Sequence, residues 1–204
     1  MTDSPRVVAV CGSRRDGSYS KAILRYALDA AADAGADTDF IDLGDPSLDV
    51  PLYHPDVDAA EAGDVAALLE RVRAADGVLL ASPVYHGSYS STFRSFHDWC
   101  SHDEYEDTVV GLFVVAGGGS FEATLEHMRA TVRGVHGWVP PLQVGVRNAS
   151  DKFDDRDDPD AGDGIGADSR YALSDDPTYD RTVTLGRRVA HYAATKAPFL
   201  DTPE

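Results

Sequence analysis

The sequence predicts an α/β domain built on a parallel sheet with helices on both faces. Five short runs rich in Val, Leu and Phe alternate with stretches of helical periodicity, and strands that alternate with helices pair in parallel through right-handed crossovers. Residues 78–81 and 109–115 are apolar throughout, as is typical of strands buried on both faces. In such a doubly wound sheet a ligand binds at the carboxyl ends of the strands.

Each element is predicted from its own pattern, in chain order. The strands are the apolar runs Val7–Cys11, Thr38–Leu43, Gly77–Ser82, Thr108–Ala116 and Leu142–Arg147. The helices are the segments in which apolar residues recur every three or four positions, namely Ser20–Ala34, Ala59–Ala75, Ser90–Trp99, Phe121–His136 and Tyr179–Lys196. A chain of 204 residues can bury a substantial core, and we expect one domain over residues 1–204.

One segment, residues 148–178, interrupts the alternation. It contains ten Asp residues and no strong periodicity. We expect an acidic insertion loop here, and two interpretations stay open. It is either a solvated surface segment, or a lid or dimer arm of the kind that long loops in compact domains often form. Its apolar anchors are Phe153, Ile165, Tyr171 and Leu173.

The net charge of -17 excludes some partners and suggests a setting. The chain has 28 Asp against 7 Glu, and 15 Arg against only 3 Lys. An acidic chain opposes nucleic-acid binding, which needs a basic face. An Asp-rich, Lys-poor surface resembles that of proteins from a halophile, where salt screens self-repulsion; an ordinary acidic mesophilic enzyme stays the alternative.

The sequence also predicts a cytoplasmic protein without a membrane partner. No run approaches the roughly 18 apolar residues of a membrane span, and the polar start MTDSPR is neither a signal nor a transit peptide. Residues 97–106, HDWCSHDEYE, combine His, Cys and carboxylates, but they lack the spacing of metal ligands. We therefore predict no metal site.

The ten residues CGSRRDGSYS, positions 11–20, follow the first predicted strand and open the first helix. The unpaired N–H groups and dipole of a helix N-terminus suit a phosphate. Glycines at positions 12 and 17 allow the backbone to approach it closely. The hydroxyls and positive charge that a phosphate needs come from Ser13, Ser18, Ser20 and from Arg14 or Arg15.

Three known phosphate loops do not match this stretch. No lysine follows Gly17 as in the P-loop, and the second glycine of the dinucleotide fingerprint is absent. A low-molecular-weight phosphatase places an arginine six residues after its cysteine, where this chain has Gly17. Cys11 is therefore interpreted as a small buried strand residue.

Two further loops follow the third and fourth strands. The first, ASPVYHGSYSSTFRSFHDW at residues 81–99, contains Pro83, which stiffens the turn, and Gly87, which permits close approach. The second, AGGGS at residues 116–120, contains three glycines. These cost about 0.5–1 kcal/mol each relative to Ala, and they are reasonable where backbone lies against a flat ligand. Ordinary turns stay the alternative for each loop taken alone.

Together the three loops resemble those of the NADPH-dependent FMN reductase family. The first loop reads G-S-x-R-x-x-S-x-S, with Ser20 where members usually have Asn. The second is similar to [S/T]-P-x-Y-x-x-S, with Val84 and His86 where members more often have Glu and Asn. The resemblance covers about residues 6–147. It implies a flavodoxin-like three-layer sandwich with strand order 2-1-3-4-5, in which the first, third and fourth strands are neighbours.

The resemblance also implies bound FMN, with NADPH or NADH as co-substrate. Ser13, Arg15, Ser18 and Ser20 would hold the phosphate, Pro83 to Ser88 and the glycines after strand 4 would hold the ring, and N–H groups from Tyr85 to Ser88 would face its polar edge. The implied cofactor-binding residues are Ser13, Arg15, Ser18, Tyr19, Ser20, Pro83, Val84, Tyr85, His86, Gly87, Ser88, Gly117, Gly118 and Gly119. Members are commonly dimers or tetramers, so a homodimer or homotetramer is expected.

The function so implied is an oxidoreductase that uses NAD(P)H to reduce flavin and passes electrons to a small acceptor, such as free flavin or a quinone. The protein mainly positions and tunes the cofactor, so no catalytic side chain is required. His86 is a candidate proton donor to the reduced acceptor. A flavodoxin-type electron carrier is the alternative, although flavodoxins lack an arginine in this loop. A flavin-free phosphate binder is a third interpretation.

Overall fold

The centre of the molecule is a sheet of five parallel strands, seen in a computed structural model that describes residues 4–156 and 170–196. The strands are β1 (Arg6–Cys11), β2 (Asp37–Asp42), β3 (Gly77–Pro83), β4 (Val109–Val115) and β5 (Val144–Val146). Their order is β2-β1-β3-β4-β5, which confirms the predicted flavodoxin-like topology. In this register Val10 lies beside Leu80, and Leu80 lies beside Leu112.

Helices cover both faces of the sheet, so the predicted three-layer sandwich is confirmed. The helices are α1 (Tyr19–Asp33), α2 (Val65–Arg73), α3 (Ser91–His97), the single turn α4 (His102–Tyr105), α5 (Glu122–Gly134) and α6 (Asp176–Thr195). Helices α1 and α6 pack on one face. Helices α2, α3, α4 and α5 pack on the other.

The strands are buried on both sides because their residues alternate between the two layers. Along β1, Val7, Ala9 and Cys11 pack in the α1–α6 layer, whereas Val8 and Val10 pack in the opposite layer. All five are fully buried. Side chains of a strand point alternately to opposite faces, so a continuous apolar run is needed where both faces are covered.

The predicted helix Ala59–Ala75 is wrong at its start. A short 3-10 turn at Ala59–Glu61 is separated from α2 by a break around Gly63, which has a φ of 58°. The backbone N–H of Asp64 donates to the Asp49 carbonyl, and the Asp64 carboxylate accepts from the Asp49 N–H. This pairing with the loop after β2 replaces the helical continuation.

The predicted insertion at 148–178 has secondary structure at both ends. A 3-10 turn (Ala149–Asp151) follows β5, and two antiparallel strands, β6 (Phe153–Asp155) and β7 (Tyr171–Leu173), form what we call the β6–β7 ribbon. The last helix begins at Asp176 rather than Tyr179, because the Asp175 carboxylate caps it by accepting from the Thr178 N–H. Residues 157–169, including the predicted anchor Ile165, lie outside the described residues.

The described ranges contain no helix with both the length and the apolar character needed to cross a membrane.

Helices α1 and α6 pack closely enough to exclude a side chain between them. A Cβ on Gly186 of α6 would lie 2.0 Å from the carbonyl oxygen of Ala27 in α1. We expect Gly186→Ala to lower the free energy of unfolding by about 1–3 kcal/mol, because the added methyl group forces the helices apart. Urea denaturation measures the effect.

Gly134→Ala is the matched control. Gly134 ends α5, and a Cβ there meets no atom within 4 Å. Alanine is the better helix former, so this variant should be as stable as the parent or slightly more so. Equal losses in the two variants would contradict the role of close α1–α6 packing.

Candidate functional site

A cleft of about 390 Å³ lies at the carboxyl ends of β1, β3 and β4. The strand order makes these ends neighbours, so the loops that follow the three strands meet there. The cleft contains ten of the residues predicted for the site: Ser13, Arg15, Ser18, Tyr19, Ser20, Pro83, Val84, Tyr85, Gly117 and Gly118. His86, Gly87, Ser88 and Gly119 do not line it, and Val115 and Ala149 line it without having been predicted.

The first loop presents the N-terminus of α1 to this cleft. Ser18 caps the helix, since its hydroxyl accepts from the Ser20 N–H at 3.1 Å. Among the described residues, the N–H groups of Asp16, Gly17 and Ser18 have no hydrogen-bond partner. Gly17 has a left-handed backbone, with φ 57°. The loop therefore offers free donors beside the positive end of a helix dipole, an arrangement that suits an anion.

The two arginines of this loop point into different depressions. Arg15 lines the cleft, whereas Arg14 lines a separate depression together with Asp45. Both side chains are exposed, and neither forms an ion pair with a described carboxylate. Arg15 thus lies at the cleft, and its role beside a phosphate stays a prediction.

A network of buried serines holds the first loop against the second. The Ser90 hydroxyl donates to the Gly12 carbonyl at 2.5 Å, and the Ser90 N–H donates to the Ser82 hydroxyl at 2.9 Å. The same Ser90 oxygen accepts from the Phe93 N–H and so caps α3. A Cβ on Gly12 would lie only 2.6 Å from the Cβ of Phe93. Only glycine therefore allows this close approach of β1 to α3.

The second loop ends in a tight turn that corrects one prediction. The Tyr85 N–H donates to the Ser88 carbonyl and the Ser88 N–H donates to the Tyr85 carbonyl. His86 and Gly87 between them both have positive φ, 52° and 77°, which is the geometry of a two-residue hairpin turn. The N–H groups of Tyr85 and Ser88 are thus consumed within the turn, and only those of His86 and Gly87 remain for a ligand.

Sequence reasoning missed His127 as a neighbour of this turn. Its Nδ1 lies 3.3 Å from the Ser88 hydroxyl, and its ring lies edge-on to Tyr89. The contact joins α5 to the turn across 39 positions of sequence. The scattered histidines of the chain carry no spacing that indicates it.

The glycine loop after β4 borders the cleft with open backbone. A Cβ on Gly117 would meet no atom within 4 Å, so the absent side chain leaves space in the cleft. Asn148, missed by sequence reasoning, follows β5 in a left-handed conformation and brings its Oδ1 to 3.9 Å from the Cβ position of Gly118. The N–H of Ala149 donates to the Ala116 carbonyl, which fixes the end of β5 to this loop.

Burial decides the protonation of the groups behind the cleft. Burial raises the pKa of the Cys11 thiol to about 12, so the cysteine that opens the first loop is no nucleophile, in line with its interpretation as a strand residue. Burial lowers the pKa of His97 in α3 to about 4. His97 is therefore neutral at pH 7, stacked on Phe93 with 5.2 Å between ring centroids.

Comparison with known proteins gives a family and a set of folds. The family model described as NADPH-dependent FMN reductase matches residues 5–151. An "FMN-dependent NADPH-azoreductase" of Staphylococcus haemolyticus is 30% identical over 150 residues, 72% of this chain and 79% of that protein. A Staphylococcus aureus (strain USA300) protein of the same name is 28% identical over 143 residues, 69% of this chain and 76% of that protein.

Solved structures with the same fold share little sequence with the chain. An NAD(P)H:acceptor oxidoreductase, FerB, from Paracoccus denitrificans has a TM-score of 0.69 at 16% identity, covering 94% of this chain and 98% of that one. An apo NADH:FMN oxidoreductase, EMOB, has a TM-score of 0.64 at 16% identity, covering 98% and 92%. At this identity the likeness shows the fold alone.

The serine network generates a test. We expect Ser90→Ala to lower the free energy of unfolding by about 2 kcal/mol, because it removes a helix cap and leaves the buried Gly12 carbonyl without its donor. Hydrogen exchange of the amides in residues 12–18 should also accelerate, as the loop loses its tie to α3. Denaturation and exchange mass spectrometry measure the two effects.

Ser91→Ala is the control for this variant, since Ser91 is exposed at the first position of α3. It should leave both readouts close to the parent. Unchanged exchange in Ser90→Ala would show that the loop does not depend on this hydrogen bond.

Proposed function

Because the chain belongs to the NADPH-dependent FMN reductase family, we propose that it binds FMN in the cleft and uses NADPH or NADH to reduce a small acceptor. The observation that carries the proposal is the meeting of three loops, after β1, β3 and β4, around one cleft. The acceptor is a free flavin, a quinone, an azo compound or a metal oxyanion. The names of the staphylococcal relatives favour the azo compound.

The described residues fit the cofactor. The cleft volume of about 390 Å³ is within the range of about 300–1,000 Å³ usual for ligand pockets. Free N–H groups and Arg15 at one end suit a phosphate, and the open backbone at Gly117 at the other end suits a flat ring. When bound, FMN supplies the redox chemistry, accepting a hydride from the nicotinamide and passing electrons to the acceptor.

In this proposal the residues of the chain bind the cofactor and orient its ring. Ser13, Ser18 and Ser20 are buried around the first loop and hold the phosphate together with Arg15. Pro83 and Gly118, both at the cleft wall, orient the ring. Tyr85 is 52% exposed at the cleft, where its ring can pack on a flat ligand or be covered by one.

The visible spectrum of the purified protein, followed by NADPH and NADH oxidation over a panel of acceptors, tests the proposal. We expect a yellow protein that is bleached by a nicotinamide nucleotide without a partner reductase. Bleaching only by a partner would indicate an electron carrier. A colourless protein that takes up no FMN would contradict flavin binding.

Arg15→Ala sharpens this test, with Arg14→Ala as the matched control. Loss of one charge-assisted hydrogen bond, about 1.5–3 kcal/mol, should raise the Kd for FMN by about 10- to 100-fold in Arg15→Ala. Arg14 lines a different depression, so its variant should bind FMN almost as the parent does.

His86→Gln tests proton donation to the reduced acceptor. Rates of NAD(P)H oxidation that are unchanged from acidic to neutral pH would remove that role from His86.

We further propose that the protein works as a homodimer or homotetramer in the cytoplasm of a halophile. The support is the net charge of -17 with only 3 Lys and the exposed apolar side chains Leu52, Tyr53 and Val57. At about 1 M salt the Debye length falls to about 3 Å, so repulsion among surface carboxylates is screened. Size-exclusion chromatography measures the assembly.

Salt dependence tests the halophilic setting. Raising KCl from about 0.1 to 2 M should raise Tm by at least about 4 °C, which corresponds to about 1–2 kcal/mol for a chain of this size. An equal osmolality of sucrose separates charge screening from general exclusion effects. A Tm that is unchanged or lower in KCl would favour an ordinary acidic mesophilic protein.

A further inference from the structure

The β6–β7 ribbon docks on the helix whose N-terminus opens the cleft. Tyr19, in the first turn of α1, stacks on Phe153 of β6 with 4.9 Å between ring centroids and contacts Tyr171 of β7 at 4.5 Å. About two turns further along α1, the Tyr26 hydroxyl accepts a hydrogen bond from the Leu173 N–H at 3.0 Å. The ribbon is therefore attached to α1 by ring packing at one point and by a hydrogen bond at another.

The base of the ribbon is held as well. Lys152 forms an ion pair with Asp175, the residue that caps α6. The Ser174 N–H donates to the Lys152 carbonyl at 3.0 Å. Every one of these contacts involves at least one residue beyond 151, where the family match ends. The ribbon thus lies outside the region that the family model matches.

Arg170, directly before β7, lies against the phosphate loop. A Cβ on Gly17 would lie 2.7 Å from the Arg170 Cδ and 3.1 Å from its Nη1. Glycine is needed at position 17 for two reasons. It adopts the left-handed φ of the loop, and its missing side chain leaves room for Arg170. The sequence places the two residues 153 positions apart, and only the docked ribbon brings them together.

The surroundings of Arg170 form a small basic cavity of about 190 Å³ between α1, the end of β2 and the ribbon. Lys21 and Arg25 also line it, but Lys21 is paired with Asp42 at 2.6 Å, and the Arg25 guanidinium lies 3.9 Å from the centre of the Phe40 ring. Arg170 forms no ion pair with a described carboxylate. Arg170 is therefore a cation of this cavity without a described carboxylate partner, whereas Lys21 has such a partner and Arg25 lies over the ring of Phe40.

This cavity and the cleft are neighbours that share Ser18. Arg15 lines the cleft on one side of the loop, and Arg170 lines the cavity on the other side, against Gly17. A cofactor phosphate held by the free N–H groups of Asp16 to Ser18 would lie close to both guanidinium groups. A chain with net charge -17 repels a phosphate. A second arginine beside the phosphate offsets the part of this repulsion that one arginine does not.

We propose that Arg170 is a second arginine of the phosphate site, which the ribbon carries to the Gly17 side of the loop to bind the phosphate monoester of the cofactor. The proposal rests on FMN binding as proposed above. It assigns the ribbon a function: docking on Tyr19 and Tyr26 orders Arg170 before the ligand arrives, so less side-chain entropy is lost on binding.

Riboflavin separates phosphate recognition from general damage, because it is FMN without the phosphate. Kd values for FMN and riboflavin, measured by flavin fluorescence quenching at fixed KCl, should be compared in the parent, Arg170→Ala, Arg170→Lys and the exposed helix control Arg188→Ala. In Arg170→Ala we expect the Kd for FMN to rise about 10- to 100-fold while that for riboflavin stays unchanged. Arg170→Lys should recover part of the loss, and Arg188→Ala should match the parent.

Other outcomes overturn the proposal in distinguishable ways. Equal losses for FMN and riboflavin would show that Arg170 only supports the ribbon. An unchanged Kd for FMN would show that it takes no part in binding. In both cases the parent still binds FMN and the proposed function stands, whereas a parent that binds no FMN removes both proposals together.

Discussion

The hydrogen bond from the Ser90 hydroxyl to the Gly12 carbonyl is the contact on which the arrangement of the cleft depends. It links the loop after β1 to the start of α3, and the Ser90 N–H extends the link to Ser82 at the end of β3. Parallel pairing of β1 with β3 brings these ends together, and the missing side chain of Gly12 lets them touch. The two loops therefore form one rigid wall rather than two independent turns.

Some arginines of this chain form ion pairs with carboxylates, whereas others have no carboxylate partner among the described residues. Arg71 pairs with Asp39 at 2.7 Å, which holds the pKa of that carboxyl below its usual range, and Arg73 pairs with the buried Glu104. Arg15 and Arg170 have no such partner among the described carboxylates. Two arginines without a described carboxylate partner beside the N-terminus of α1 add positive potential there, at the end of the helix where the dipole is also positive.

Most of the sheet could be predicted from the sequence, and so could ten residues of the cleft, because both follow from local signals. Buried strands show as continuous apolar runs, and glycine and serine mark the turns that follow them. The break at Gly63, the hairpin turn at His86 and Gly87, and the β6–β7 ribbon could not be predicted. Each depends on a partner distant in sequence or on a φ that the residue type alone does not dictate, as at His86.

The sequence by itself determined the fold class and, through the family resemblance, the strand order, and it singled out the loop that we propose holds the phosphate, because hydrophobic period and loop composition are properties of short segments. Only the tertiary structure decided which groups face one another. In the structure the N–H groups of Tyr85 and Ser88 form hydrogen bonds within their own turn. His127 lies beside Ser88, and Arg170 lies against Gly17. Such contacts arise from packing of distant elements, and no local pattern encodes them.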